Sequence, residues 1–73
     1  MGVRILATLG ARVRRRRILL GLSQEGLASA AGLHRNAIGN LERGEFDPKA
    51  TTLVRVARAL ATDPGTLLRG LRL

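Results

Sequence analysis

Residues Gln24–Arg43, QEGLASAAGLHRNAIGNLER, decide the fold. The first half of this stretch places three apolar residues on one face of a predicted helix, namely Leu27, Ala28 and Ala31. Gly32 then suits a turn that requires a positive φ angle. Ile38 and Leu41 form the inward face of a second predicted helix. The pattern predicts two short helices that cross at a steep angle, with the small Ala28 at the crossing.

The second predicted helix has a polar outward face. On a helical wheel of about 100° per residue, the positions opposite Ile38 and Leu41 are Arg35, Asn36, Gly39, Asn40 and Arg43. None of these is acidic, and Gly39 would let the backbone come close to a ligand. Arg forms bidentate contacts with guanine, and Asn with adenine, in the major groove of DNA. A solvated face is the alternative, but such a face normally mixes charge signs and avoids a central glycine. The sequence therefore favours a helix–turn–helix that reads DNA bases.

Composition narrows the class of protein. The 73 residues predict a single domain over residues 1–73, and the absence of cysteine excludes disulfides and thiolate chemistry. A net charge of +8 and a pI near 12.0 imply attraction to nucleic acid or to an anionic membrane. Phe46 is the only aromatic residue, which argues against base stacking on single strands or RNA and favours double-stranded DNA. One histidine cannot build a metal centre, so we expect no metal and no cofactor.

Targeting and catalytic patterns are absent from the sequence. No apolar run approaches the roughly 20 residues that span a bilayer, and the start of the chain lacks a signal-peptide pattern, so we expect a cytoplasmic protein. An Arg-rich amphipathic N-terminus would also suit a membrane surface, but this explains only the first segment, and we expect no membrane partner. The acidic residues form no pair in an apolar setting, and there is no nucleophile–base pair. We therefore predict no catalytic residue and no enzyme activity.

Three further helices flank the central pair. The first is predicted to end at Leu20, ahead of Gly21. Residues 1–8 form either a loose arm or an extension of that helix, because Gly10 lowers helix propensity. Ser23 is predicted to cap the second helix.

The last two helices have their own start signals. Thr51 or Thr52 is predicted to cap a fourth helix, whose amphipathic stripe is Leu53, Val56, Ala57 and Leu60. Asp63, followed by Pro64, is the predicted cap of a short fifth helix that runs through Leu68.

Three strings carry a family resemblance: RVRRRRILLGLSQEGLASAAGLHR, NAIGNLERGEFDP and TLVRVARAL. Over roughly Arg12 to Leu68 the chain resembles the Cro and phage-repressor type, or Xre-type, helix–turn–helix proteins. It is most similar to stand-alone members such as restriction-modification controller proteins. The resemblance implies an all-α, five-helix, lambda-repressor-like domain in which the third helix enters the major groove and the second lies across the DNA backbone.

The resemblance also implies roles for individual residues. Gln24 would bind a phosphate and orient the docking, and Arg43 would hold a phosphate near the end of the third helix. The residues implied to face bases are Arg35, Asn36 and Asn40. His34 either contacts a phosphate or is uninvolved. The chain departs from the family pattern at Gly26 and Gly39, where larger polar residues are common.

Arg17 and Glu42 are the pair that the resemblance implies to be a structural ion pair. The residues alone support this, because Arg17 intrudes near the apolar stripe of the first helix and a partly buried charge needs a partner. The remainder of the run Arg14–Arg17 points in other directions, so we expect only one or two of these arginines to reach DNA.

The sequence thus predicts a sequence-specific, double-stranded DNA-binding transcriptional regulator similar to phage repressors, and it leaves open whether binding represses or activates. One module buries only about 600–1,000 Å² on DNA, so we expect a homodimer on a palindromic operator. The predicted dimer interface is Leu68, Leu71 and Leu73. The alternative is an antitoxin that binds its toxin and represses its own operon. A protein partner, either a toxin or RNA polymerase, is left open.

Overall fold

Five α-helices make up the computed structural model, which describes residues 2–73. In chain order they are α1 (Gly2–Leu19), α2 (Gln24–Ala31), α3 (Arg35–Glu42), α4 (Ala50–Ala59) and α5 (Pro64–Leu68). Helix α1 packs on α3 and α5, while α2 packs on α3 and α4. The described residues include no β-strand. The predicted all-α, five-helix class is confirmed, and α1 includes residues 2–8 of the segment for which an arm was the alternative, while residue 1 lies outside the described residues.

A single apolar core joins all five helices. Its buried side chains are Leu9, Val13, Leu27, Ala28, Ala31, Ile38, Leu41, Leu53, Val56, Ala57, Leu60 and Leu67. Every residue of the predicted inward faces of α2, α3 and α4 is among them. Phe46, between α3 and α4, is partly buried against the same core. The periodicity of the sequence therefore identifies the core side of each of these helices.

Side-chain caps fix where α2 and α5 begin. The Oγ of Ser23 accepts a hydrogen bond from the backbone N–H of Gly26 at 2.9 Å, as predicted for the start of α2. Asp63 Oδ1 likewise accepts from the N–H of Thr66 at 2.9 Å. Gly32 ends α2 in the left-handed conformation, at a φ of 70°. Helix α1 ends one residue earlier than predicted, at Leu19.

The predicted cap of α4 is wrong. Lys49 occupies the N-cap position, without a side-chain hydrogen bond, and Thr51 and Thr52 lie inside the first turn. The carbonyl of Lys49 accepts from the N–H of Leu53 at 2.9 Å, and this bond closes the first turn of α4. The turn therefore includes the buried side chain of Leu53. Packing of Leu53 thus overrides the capping preference of threonine.

Two glycines allow α1 to cross closely over the end of α3. A Cβ on the buried Gly10 would lie 2.7 Å from the carbonyl oxygen of Glu42, and it would also meet the carbonyl oxygen of Leu41. Gly44 has a φ of 76°, and a Cβ there would lie 2.9 Å from the Cα of Ala7. Both obstacles are backbone, which cannot rotate away. Gly10 is therefore a contact point of the fold, although by helix propensity it is a weak position.

Arginines of α1 cap the ends of other helices. Arg12 Nη1 donates to the carbonyl oxygens of Leu67, at 3.0 Å, and Arg69, at 2.7 Å, at the end of α5. Arg16 Nε donates to the carbonyl oxygen of Leu60 at 2.7 Å, at the end of α4. Such bonds satisfy carbonyls that have no partner within their own helix, and a cation is favourable at that pole. Part of the positive charge of the chain therefore stabilises the fold.

Candidate nucleic-acid interface

The α2–α3 unit places the N-terminus of α3 at the surface after a three-residue connection, Gly32, Leu33 and His34. His34 is the N-cap of α3, and its Nδ1 accepts a hydrogen bond from the backbone N–H of Asn36 at 3.1 Å. The sequence predicts either a phosphate contact or no involvement for His34. It does not predict that His34 caps α3. Because Nδ1 accepts, the neutral imidazole carries its hydrogen on Nε2, where it is a donor toward solvent.

A surface groove between α2 and α3 collects most of the predicted DNA-binding residues. Its lining is Gln24, Glu25, Arg35, Asn36, Gly39, Asn40 and Arg43. His34 is the one predicted contact residue outside this lining. The groove therefore brings side chains from the start of α2 next to the whole outward face of α3.

Arg43 folds back over the middle of this face. Its Nε donates to Oε1 of Glu45 at 2.9 Å, and its Nη2 donates to Oδ1 of Asn40. A Cβ on Gly39 would lie 3.2 Å from Arg43 Nη1 and 3.7 Å from Oε1 of Gln24. Gly39 is consequently buried beneath the ends of flexible side chains, and the close approach of its backbone to a ligand stays a prediction. The side chain of Arg43 must move before the α3 backbone at this point can be approached.

Beneath the groove lies the predicted ion pair. Arg17 Nε is 2.6 Å from Glu42 Oε2, Arg17 Nη2 is 3.0 Å from Oε1, and the two side chains are 12% and 3% exposed. Arg17 Nη1 also donates to the carbonyl oxygen of Leu22 at 2.8 Å. The hydrogen bond and charge of Glu42 raise the pKa of Arg17 against the opposing effect of burial. Arg17 thus joins α1 to α3 and to the turn before α2.

Two acidic residues outside α3 pair with its terminal arginines. Glu25 Oε1 accepts from Arg35 Nη1 at 2.6 Å, and Glu45 holds Arg43 as described above. The outward face of α3 carries no acidic residue, as the helical wheel indicates. Glu25 and Glu45 nevertheless lie next to it. The signal in the sequence is the position of Glu25 in the first turn of α2, the helix that lies beside α3.

Exposed apolar side chains occur away from the groove. Leu68 and Leu73 are 40% and 93% exposed, whereas Leu71 is partly buried against the core. A second group of exposed apolar residues lies at the end of α1 and comprises Ile18, Leu19 and Leu20. Both groups are exposed apolar surfaces of the kind that protein partners bind.

Residues 2–73 present neither a metal-binding cluster nor a membrane-spanning helix. Within this range no group of His, Cys, Asp or Glu side chains has an arrangement that could hold a metal ion. None of the helices described has both the length and the apolar character needed to cross a membrane.

A helix–turn–helix that presents Arg and Asn side chains on its second helix defines the class of DNA-binding regulators. Sequence similarity to known proteins supports the same class. Residues 13–67 match the helix-turn-helix family HTH_3. The control protein C.SmaI of Serratia marcescens is 45% identical over 60 residues, which cover 82% of this chain and 71% of that protein. The repressor protein C2 of Salmonella phage P22 is 36% identical over 62 residues, 85% of this chain but 29% of that protein.

Solved structures give the same result. The restriction-modification controller protein C.AhdI from Aeromonas hydrophila superposes with a TM-score of 0.83 at 39% identity, covering 85% of this chain and 94% of that one. The P22 c2 repressor in complex with a synthetic operator gives a TM-score of 0.80 at 35% identity, covering 86% of this chain and 96% of that chain. The chain belongs to the HTH_3 helix-turn-helix family, whose members are transcription regulators and not enzymes.

Proposed function

We propose that the chain represses transcription by binding a palindromic operator as a homodimer, with α3 in the major groove and α2 across the DNA backbone. The observation that carries this proposal is the groove that sets Gln24 beside the outward face of α3. The P22 c2 repressor, a relative of similar fold, has been solved with a synthetic operator, which supports the same mode of binding here. We expect the protein in the cytoplasm, together with the DNA.

Base contacts fall to three side chains of the outward face: Arg35, Asn36 and Asn40. Arg is suited to guanine and Asn to adenine. Recognition of adenine by Asn40 needs its Oδ1 as an acceptor, and in the free chain Arg43 occupies that atom. We therefore expect Arg43 to leave Asn40 when DNA binds and to contact a phosphate instead.

Further phosphate contacts fall to Gln24, in the groove, and to His34, outside its lining. Gln24 Nε2 donates one hydrogen to Glu42, and its second hydrogen is available for a phosphate oxygen. His34 Nε2 offers a further donor beside the N-terminus of α3, where the helix dipole favours an anion. These contacts set the position of α3 but carry no sequence information.

Dimerisation is assigned to the C-terminal leucines, Leu68, Leu71 and Leu73. Their support is the exposure of Leu68, at the end of α5, and of Leu73, beyond that helix, because apolar side chains that served only the core of one chain would be buried. The partial burial of Leu71 links this surface to the core. A two-fold dimer would place two copies of α3 about one turn of DNA apart.

Selection of bound duplexes from a random pool tests the proposal. We expect a palindromic consensus with half-sites about 10 base pairs apart. Failure to enrich any sequence would contradict operator binding, and an asymmetric consensus bound by one chain would contradict the dimer. Stable co-purification with a toxin encoded beside the gene would instead favour the antitoxin alternative.

A further inference from the structure

Glu25 enters the DNA-facing groove from α2 and pairs with the first residue of α3. Its Oε1 accepts from Arg35 Nη1 at 2.6 Å, and the Arg35 and Glu25 side chains are 65% and 68% exposed. We infer that Glu25 is a positioning and specificity-determining residue, which aims Arg35 at a base and weakens binding to non-specific DNA. This inference rests on the proposed function.

The geometry leaves Arg35 free to read a base while it stays paired. A guanidinium has five N–H donors, and Glu25 takes one of them, through Nη1. The remaining donors include the two parallel N–H groups that a bidentate contact with guanine requires. Glu25 is therefore not a competitor that the operator must displace. Holding one nitrogen restricts the rotation of a long side chain, so less conformational entropy is lost when the base is bound.

On non-specific DNA the same carboxylate acts against binding. There Arg35 would serve as a phosphate contact, but its charge is already partly neutralised by Glu25. A phosphate that approaches Arg35 also meets the negative charge of Glu25. Glu25 thus weakens the phosphate contact of Arg35, which does not depend on DNA sequence, and preserves its base contact, which does. The ratio of operator affinity to non-specific affinity rises as a result.

The chain offers a matched control for the charge of Glu25. Asp47 is exposed and forms no ion pair with any described residue. Asp47→Asn therefore changes the net charge by the same amount as Glu25→Gln but releases no arginine. Because the Glu25–Arg35 pair is exposed, neither substitution is expected to change the melting temperature noticeably.

The experiment measures affinity for a selected operator and for a random duplex over a range of salt concentrations. We expect Glu25→Gln to raise non-specific affinity about 2- to 5-fold. The salt slope on random DNA should steepen by up to about one phosphate contact, while operator affinity stays level or falls. Asp47→Asn should leave the affinity ratio unchanged. In an Arg35→Ala background, Glu25→Gln should also leave the ratio unchanged, which shows that it acts through Arg35.

Three results would overturn the inference. The first is a Glu25→Gln variant whose ratio of operator affinity to non-specific affinity equals that of the wild type. The others are an equal fall of this ratio in Asp47→Asn, or the same fall when Glu25→Gln is made in the Arg35→Ala background. Each of these can be seen while the wild-type chain still selects an operator, so the proposed function would survive. A wild-type chain that prefers no duplex would overturn the proposed function, and the inference with it.

Discussion

Gln24 and Glu42 are joined by a hydrogen bond of 3.0 Å from Nε2 to Oε1. The same carboxylate holds Arg17, so a buried ion pair and a surface residue assigned to phosphate share one anchor. The amide of Gln24 is thereby oriented before DNA arrives. The packing of α1 on α3 and the proposed docking of α2 on DNA thus depend on the same side chain.

Removing one partner of this ion pair should destabilise the fold strongly. Glu42→Gln or Arg17→Met is expected to lower the free energy of unfolding by about 2–4 kcal/mol, because each leaves a largely buried charge without its partner. The double variant should lose less than the sum of the two. Urea unfolding of the four proteins measures this coupling.

A second ion pair serves as the control for that cycle. Glu25 and Arg35 are largely exposed, so their coupling energy should be about 0–1 kcal/mol. Purely additive losses at Arg17 and Glu42, or a coupling as small as that of the exposed pair, would contradict the structural role.

Gly10 of α1 and Gly39 of α3 should respond oppositely to substitution by alanine. Gly10→Ala is expected to destabilise the fold by about 2–3 kcal/mol, since its Cβ would meet backbone of Leu41 and Glu42. Gly39→Ala meets only the ends of flexible side chains and should be neutral or stabilising by up to about 1 kcal/mol. Thermal unfolding compares the two. A similar effect at both positions would argue against close crossing of α1 over α3.

Residues that contact bases and residues that contact phosphates should differ in how their substitution changes affinity for the operator and for random duplex. Arg35→Ala or Asn36→Ala is expected to cost about 1–3 kcal/mol on the operator and little on random duplex. Arg43→Ala should weaken both DNAs alike and reduce the salt slope by about 1. Fluorescence anisotropy at several salt concentrations gives both quantities. Equal losses on the two DNAs for Arg35→Ala would move that residue to the phosphate class.

The dimer surface can be tested by introducing a charge. Leu68→Glu should shift the protein from dimer to monomer in sedimentation experiments, because an acid cannot be buried unpaired in an apolar interface. Leu19→Glu, in the exposed apolar group at the end of α1, is the matched control and should leave the dimer intact. The reverse outcome would place the interface on α1.

Local patterns predict the α2–α3 unit well. Apolar spacing, Gly32 and Ser23 act over a few residues, and each has the role in the structure that its chemistry indicates. The family resemblance implies the Arg17–Glu42 pair, and in the structure the two side chains make two short contacts. Such features can be predicted because they need only one helix, or a motif already associated with a fold.

Contacts between distant segments could not be predicted in the same way. Gly10 is costly by helix propensity, and only the crossing of α1 over α3 shows why it is needed. Arg12 caps carbonyls more than fifty positions away. The acidic partner of Arg35 is Glu25 of α2, so a wheel of α3 alone cannot include it. In each case the partner is set by tertiary packing, which periodicity does not encode.

The central claim is that the outward face of α3 lies against paired bases. Titration of the isotope-labelled chain with a selected duplex, followed by NMR, tests it most directly. The account predicts that the largest amide shifts fall on residues 24–25 and 35–43. Shifts concentrated on the outer face of α1, around Arg14, Arg15 and Leu19, with α3 unaffected, would contradict it.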